Sequence, residues 1–334
     1  MKAIELTAPS LDAFRPAVLP DPTPGPGEIL VRLRAATLNY LDVAIATGNF
    51  PVPAFPMIPV ADGAGEVAAV GANVTAFKAG DRVIPHFMPR WQGGSISPSN
   101  VAAMRGISLP GSLAEYVVVP ESGLVALPSH LDFAQGAALP VAGTTAWNAV
   151  RSAQVRPGST VVILGTGGVS IFALQFAKAS GATVIVTSSS DEKLERAKRL
   201  GADLLINYRS TPEWNDEVLR LTDGRGADLV VDTVGEATFA RSLKAAAFGG
   251  TVFTVGFLTG VAASIDLFSI IGKALKIVGN NTGSVADLAE AARAITAQGI
   301  VPVLDQIFDF GETSLAYSKL AAGGQHFGKI AIVH

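Results

Sequence analysis

The chain has 334 residues, more than one hydrophobic core usually organises, so two domains are expected. Charged residues make up 16% and apolar residues 49%, with a net charge of −3; this excludes a disordered chain and leaves no basic footprint for nucleic acid or an anionic membrane. Cysteine is absent, which excludes disulfides and thiolate zinc sites by covalent chemistry.

Three charge-free stretches, 133–150, 157–177 and 245–265, reach 18 to 21 residues, the length of a membrane span. Each is broken by Gly or Pro, so they read as buried α/β core. The start, Met1-Lys2-Ala3-Ile4-Glu5, lacks a basic-then-apolar signal pattern, and a cytoplasmic protein is expected.

Along the chain, short strands are expected over 4–6, 29–33, 65–70, 82–84 and 114–119, separated by Pro/Gly turns, as in a compact, mostly β domain. The stretch 91–112 is rich in Gly, Ser and Pro, and reads as a long loop or lobe. From 128 the character changes. Helices are expected over 133–139 and 144–155, followed by strands at 161–164, 183–187, 204–206, 228–232, 251–255 and 275–278. Helices over 169–179, 191–200, 213–222 and 237–247 fall between them, and this alternation implies a doubly wound parallel sheet of Rossmann type in the order 3-2-1-4-5-6. The tail reads as helix 285–298, an extended piece at 306–310, helix 312–322 and a last strand at 329–333.

The first strand of the alternating part runs into Gly165-Thr166-Gly167-Gly168-Val169 and then an apolar helix. Gly165 permits an unusual backbone angle, and Gly167 lacks the Cβ that would keep a pyrophosphate from the helix N-terminus, where free N–H groups and the dipole favour an anion. Ser170 stands where a third Gly or Ala is usual, which sets helix and strand slightly further apart. About 20 residues on, where an Asp or Glu would hold the ribose hydroxyls of NAD, the chain has Thr187-Ser188-Ser189-Ser190. Hydroxyls donate to a 2′-phosphate that a carboxylate would repel, and Lys193 follows within reach, so NADP(H) is the expected cofactor. Ser190-Asp191-Glu192-Lys193 also reads as a helix cap, and both readings can hold together.

Taken in order, several motifs resemble those of the medium-chain dehydrogenase/reductase superfamily, in its zinc-independent branch near quinone oxidoreductases and zeta-crystallin. They are Asn39-Tyr40-Leu41-Asp42, Ala61-Asp62-Gly63-Ala64-Gly65-Glu66-Val67, Gly80-Asp81-Arg82-Val83, Gly111-Ser112-Leu113-Ala114-Glu115-Tyr116 and Gly143-Thr144-Thr145-Ala146-Trp147. The glycine turn, Ile206-Asn207-Tyr208-Arg209, Val231-Asp232-Thr233-Val234-Gly235 and His326-Phe327-Gly328-Lys329 complete the set. The resemblance implies a GroES-like, mostly β substrate domain over 1–123, to which 278–334 returns, with a Rossmann domain over 124–277 and an active site in the cleft. It implies that Tyr208 packs near the 2′-phosphate, that Thr145, Val234 and Gly256-Phe257-Leu258 meet the reacting end of the cofactor, and that Asn280, Asn281, Phe327 and Lys329 belong to loops closing over its nicotinamide half. Zinc-dependent relatives carry a Cys and a His-Glu pair where this chain has Asn39 and Ala61-Asp62, and His86, His130, His326 and His334 form no ligand pair, so no metal is expected.

The catalytic candidates are Asn39, whose amide could bond the nicotinamide ribose or the substrate oxygen, Tyr40, whose phenol lies beside it, and Asp42, which either takes part or fixes the local turn. Relatives that reduce enones often carry Gly-x-Tyr where this chain has Gly48-Asn49-Phe50, and a Phe cannot donate a proton. The expected activity is therefore NADPH-dependent hydride transfer, without zinc, to a small hydrophobic quinone or activated enone. The alternatives are zinc-independent interconversion of secondary alcohols and ketones, and a crystallin-like binding or structural role. The apolar strand from Ala274 to Val278 is expected at the sheet edge, where unpaired backbone groups invite a second copy, so a homodimer is expected.

Overall fold

The computed structural model describes residues 1–334, which divide into two compact units: 1–144 with 283–334, and 145–282. In chain order the first unit opens with β1 (Lys2–Leu6), β2 (Phe14–Val18), β3 (Glu28–Leu38), α1 (Tyr40–Ala46), β4 (Asp62–Val70), β5 (Arg82–Pro85), α2 (Pro98–Val101), β6 (Tyr116–Pro120), β7 (Leu124–Ala126) and α3 (Phe133–Ala137). A π-helical turn at Leu139–Gly143 leads into α4 (Thr144–Ser152), which starts the second unit. There follow β8 (Thr160–Leu164), α5 (Gly168–Ala179), β9 (Thr183–Ser188), α6 (Asp191–Arg199), β10 (Leu204–Asn207), α7 (Trp214–Leu221), β11 (Ala227–Asp232), α8 (Glu236–Ala245), β12 (Ala246–Thr254), α9 (Phe268–Ile271) and β13 (Lys276–Gly279). The first unit resumes with α10 (Val285–Gln298), β14 (Leu304–Asp309), α11 (Thr313–Ala321) and β15 (Lys329–Val333).

The second unit is a parallel six-stranded sheet in the order β10-β9-β8-β11-β12-β13, the expected 3-2-1-4-5-6. Its central strands are buried along nearly their whole length, as in β8 and β11, because helices cover both faces. Val162, Ile185, Val230, Val252 and Trp214 form one core. Parallel strands place the loops after β8, β9, β11, β12 and β13 on one edge, the carboxyl edge at which such sheets bind ligands.

The first unit is built on a seven-stranded sheet, β14-β15-β3-β4-β5-β7 with β6 paired to β3. The division falls at 144/145 and 282/283, whereas the sequence patterning placed it at 123/124 and 277/278. The reason lies in pairing: Leu124 to Ala126 join β5 antiparallel, Val83 opposite Ala126, which keeps β7 in the first sheet. α3 is shorter than the expected 133–139, since the π turn with Pro140 at its second position takes over. α4 stops at Ser152, before Gln154, whose φ is +52°. The lobe 91–112 contains α2 and is anchored by Trp91, Ile107 and Leu113 in the first unit's core. No helix is long and apolar enough to cross a membrane.

Candidate functional site

Within the second unit, β8 ends at Gly165 with φ +74°, a conformation only glycine adopts cheaply. Gly167 is the N-cap of α5 and supplies no side-chain acceptor, so the first amides of the helix have no capping side chain; Thr166 and Val169 flank it. This is a cradle for a phosphate group and fits the pyrophosphate of a dinucleotide. Ser170 is buried, and its Oγ donates to the Leu164 carbonyl at 2.8 Å; the hydroxyl is tied back to the strand that a smaller residue would simply pack against. Thr233 Oγ1 donates to the same carbonyl at 2.8 Å, which couples the loops after β8 and β11.

Ser188 ends β9 opposite Asn207 at the end of β10, and its carbonyl accepts the Tyr208 N–H at 3.0 Å. Ser190 caps α6 by accepting the Lys193 N–H at 3.4 Å, and Ser189 and Lys193 are half-buried beside it. The first acid past β9, Asp191, accepts from Asn207 Nδ2 at 2.7 Å. Tyr208 is exposed. At the end of β11, Asp232 is fully buried and holds the next turn: Oδ1 accepts from the N–H groups of Val234 (3.0 Å) and Gly235 (3.1 Å), and Oδ2 from Ser242 Oγ (2.7 Å). A Cβ at Gly256 would lie 1.9 Å from the Thr233 carbonyl carbon, so only glycine fits where Gly256-Phe257-Leu258 passes. Asn280 stays beside the end of β12 through its N–H to the Thr254 carbonyl (3.3 Å); Asn281 is exposed, and Thr145 is buried in α4.

The other candidates lie in the first unit, where register brings distant segments together. Thr37 of β3 faces Asp62 of β4, and Leu38 faces Ile330 of β15, which sets Lys329 beside Asn39. Asn39 Nδ2 donates to Asp62 Oδ2 at 2.8 Å; Lys329 Nζ donates to Asn39 Oδ1 at 2.6 Å and to Asp62 Oδ2 at 3.0 Å. Thr37 Oγ1 (3.3 Å) and the Val141 N–H (3.0 Å) complete the shell of Asp62. Asn39 is half-buried and Tyr40 36% exposed, whereas Asp62 and Lys329 are sealed at 0% and 3%. Phe327 is buried, and its N–H donates to Asp305 Oδ1 at 3.2 Å.

Asp42 sits at the third position of α1, where its Oδ2 accepts the Asn39 N–H at 2.7 Å, the returning half of a capping box. Burial, assisted by the neighbouring Asp62 carboxylate, pushes its carboxyl up to about 7, against the opposing backbone bond from Asn39. Close by, burial and the Asp42 charge raise the Tyr317 phenol well above its ordinary value. Arg105 is buried, with only Nη2 bonded, to Ser112 Oγ at 2.8 Å, and burial pulls it down to about 10. His86 is a buried structural group: its Nδ1 accepts the Met88 N–H at 3.0 Å, and burial lowers it to about 4.

A pH signature follows from Asp42. Folding keeps a proton on this carboxyl between about pH 4 and about pH 7 that the unfolded chain has already lost, so its contribution to stability falls as pH rises through that window. His86 and His334, both lowered to about 4 by burial, act in the opposite sense as pH falls below their ordinary value. Comparing wild type with Asp42→Asn isolates the carboxyl. The variant should gain stability relative to wild type between pH 5 and pH 8, by at most ~3 kcal/mol, the equivalent of the roughly two pKa units that fall inside that window. Denaturation at both pH values measures it; an unchanged difference would show that Asp42 carries no such burden.

Sequence patterning left Thr37, Arg105 and Tyr317 unmarked and gave Asp62 and Asp232 no role of their own. Asp62 and Lys329 are 267 positions apart, and only the β3–β4–β15 pairing joins them. Asp232 had a readable cue, an acid ending a strand with hydroxyls six and ten positions on.

A zinc ion is implied by the names that relatives carry, and the residues at the matching positions do not fit one. No three His, Cys, Asp or Glu side chains gather, and the Lys329 ammonium stands against both Asn39 and Asp62. Residues 25–129 match the alcohol dehydrogenase GroES-like domain and residues 168–297 the zinc-binding dehydrogenase domain. The chain is 41% identical, over 92% of its length and 91% of the relative's, to a zinc-type alcohol dehydrogenase-like protein of Schizosaccharomyces pombe. It is 34% identical to a quinone oxidoreductase of Pseudomonas aeruginosa over 90% of this chain and 89% of that one. A solved NAD-dependent alcohol dehydrogenase superposes with a TM-score of 0.90 at 35% identity, covering all of both chains. With a GroES-like unit, a 3-2-1-4-5-6 parallel sheet and a glycine turn that fits a nicotinamide dinucleotide, the chain belongs to the medium-chain dehydrogenase/reductase superfamily of oxidoreductases.

Proposed function

We propose that the protein is a cytoplasmic, NADPH-dependent oxidoreductase that passes a hydride to a quinone or activated enone without zinc. The observation that carries this reading is the Asn39–Asp62–Lys329 ring: Asn39 and Asp62, which by resemblance stand where zinc-dependent relatives carry a Cys and a His-Glu pair, are bonded to each other and to an ammonium. A divalent cation placed there would face that ammonium at close range in a buried setting, where like charges repel strongly. When bound, the cofactor supplies the hydride from its nicotinamide ring. The chain's own contribution is binding and the stabilisation of charge developing on the acceptor oxygen, which in the absence of a Lewis acid falls to hydrogen-bond donors. The candidates are the Asn39 amide and the Tyr40 phenol. Phe50, half-buried against the core, offers no proton; this favours quinones, whose reduced anions need little acid assistance.

Purified protein with NADPH and a panel of quinones, enones and ketones, with and without chelator, tests this. Turnover of quinones or enones that is indifferent to chelator is expected. Loss with chelator and recovery with zinc would overturn the mechanism, and cofactor binding without turnover of any acceptor would point to a crystallin-like role. Alcohol dehydrogenases among the relatives favour ketones as the second acceptor class.

The second unit's edge strand supports a homodimer. β13 pairs only with β12, leaving one side of its backbone open, and Ile277 on it is 38% exposed. The same unit exposes Leu267, Phe268 and Ile271. Light scattering at micromolar concentration should give a dimer mass, and a monomer would remove the edge strand as an interface.

A further inference from the structure

We propose that Asp62 and Lys329 act as a clamp on the Asn39 side-chain amide, fixing its orientation so that one N–H bond is held out as the donor to the reacting oxygen. This rests on the hydride-transfer reading above and assigns the two buried residues a positioning role in it.

An asparagine amide is a soft rotor, with a broad terminal torsion and two nearly isosteric ends. Here the partners remove that freedom. An ammonium can only donate and an ionised carboxylate only accept, so Lys329 at 2.6 Å selects the oxygen end and Asp62 at 2.8 Å the nitrogen end. A flip would set donor against donor and acceptor against acceptor at once. The clamp is itself immobilised: Asp62 also takes the Val141 N–H and the Thr37 hydroxyl, and Lys329 bridges both Asn39 and Asp62. The main chain of Asn39 is held separately by Asp42.

Asn39 is the N-cap of α1, and the usual use of such a side chain is to accept a helix N–H with its oxygen. Here Asn39 forms a capping box with Asp42, and its oxygen also takes the Lys329 ammonium at 2.6 Å. The arrangement leaves one Nδ2 hydrogen outside the ring. Asp62, Lys329 and Thr37 are closed to solvent at 0%, 3% and 0%, whereas Asn39 is half-buried, so it is the member of the ring able to meet a ligand.

A double-mutant cycle separates this from a plain staple between β3, β4 and β15. Asn39→Ala should lower kcat/KM for the best quinone at least tenfold. Lys329→Met and Asp62→Asn should each lower kcat by a similar factor in the wild-type background, with KM for NADPH little changed, and by less than twofold in the Asn39→Ala background. Lys329→Arg should recover most of the rate. Equal fold losses in both backgrounds would overturn the clamp. If Lys329→Met fails to fold, Asp62→Asn and Lys329→Arg complete the cycle.

A second readout needs no turnover. In NMR of the intact protein the two Asn39 side-chain amide protons should be well separated, the one bonded to Asp62 slow to exchange, and in Asp62→Asn they should move together and that proton should exchange faster. Unchanged signals would overturn the proposal even if the rates fell. A wild type that reduces no acceptor would sink the functional reading alone, and the amide signals would still decide the clamp.

Discussion

Asp232→Ala should destabilise the protein by about 2–5 kcal/mol, while Asp232→Asn should lose less than half of that. The buried carboxylate receives the N–H groups of Val234 and Gly235, both hydroxyl contacts of Thr238, at 2.8 and 3.0 Å, and the Ser242 hydroxyl at 2.7 Å. Alanine leaves two backbone donors without a partner, at roughly 1–3 kcal/mol each. The hydroxyls lose less, because Thr238 already shares a bond with the Gly235 carbonyl at 3.1 Å. Asparagine keeps an acceptor for the backbone donors, and its amide faces hydroxyls that can accept. The loss should extend to cofactor affinity, since Thr233 ties this turn to the Leu164 carbonyl at the base of the glycine turn, and Gly256 packs directly on Thr233. Urea denaturation and a dinucleotide titration measure the two effects. An alanine variant within 1 kcal/mol of wild type would show that the turn keeps its shape without the acid.

Asp232 also marks how far the sequence could be read. The alternation of apolar runs with amphipathic stretches specified the parallel sheet and its strand order, because each strand there is set by local residues and joined to the next by a short connection. The glycine turn was legible for the same reason: Gly165 to Ser170 is one contiguous piece. β7 escaped because three apolar residues carry no period, and its pairing with β5 spans some 40 positions. Asn39 and Lys329 could be marked separately by resemblance, yet the ring that joins them depends on antiparallel register between the two ends of the chain. Asp42 read as either a catalytic acid or a turn-fixing one, and its bond to the Asn39 N–H could be seen only once the turn was folded. Buried polar residues such as Arg105 and Tyr317 leave no trace in hydropathy, since a polar residue at a core position looks like a surface one.

Cofactor choice should turn on one lysine: Lys193→Ala is expected to weaken NADPH about 10- to 100-fold and to leave NADH almost unchanged. β9 ends in Ser188 and Ser189, with no carboxylate to receive ribose hydroxyls, and the first acid beyond, Asp191, is taken up by Asn207. Hydroxyls at this strand end, with Lys193 in the following turn, are the groups proposed to receive a 2′-phosphate. A charge-assisted hydrogen bond contributes about 1.5–3 kcal/mol, which converts to the stated fold-change. The same residue lies in the first turn of α6, where its N–H is bonded by Ser190, so its backbone serves as part of a cap whatever its side chain does. Alanine keeps that N–H and is a better helix former, so the cap survives the substitution. The two dinucleotides differ only at the 2′ position, so their ratio cancels any effect on the shared pyrophosphate cradle. Fluorescence titration with both cofactors at fixed ionic strength gives that ratio. Equal weakening of the two would assign Lys193 to the helix alone and remove it from the phosphate.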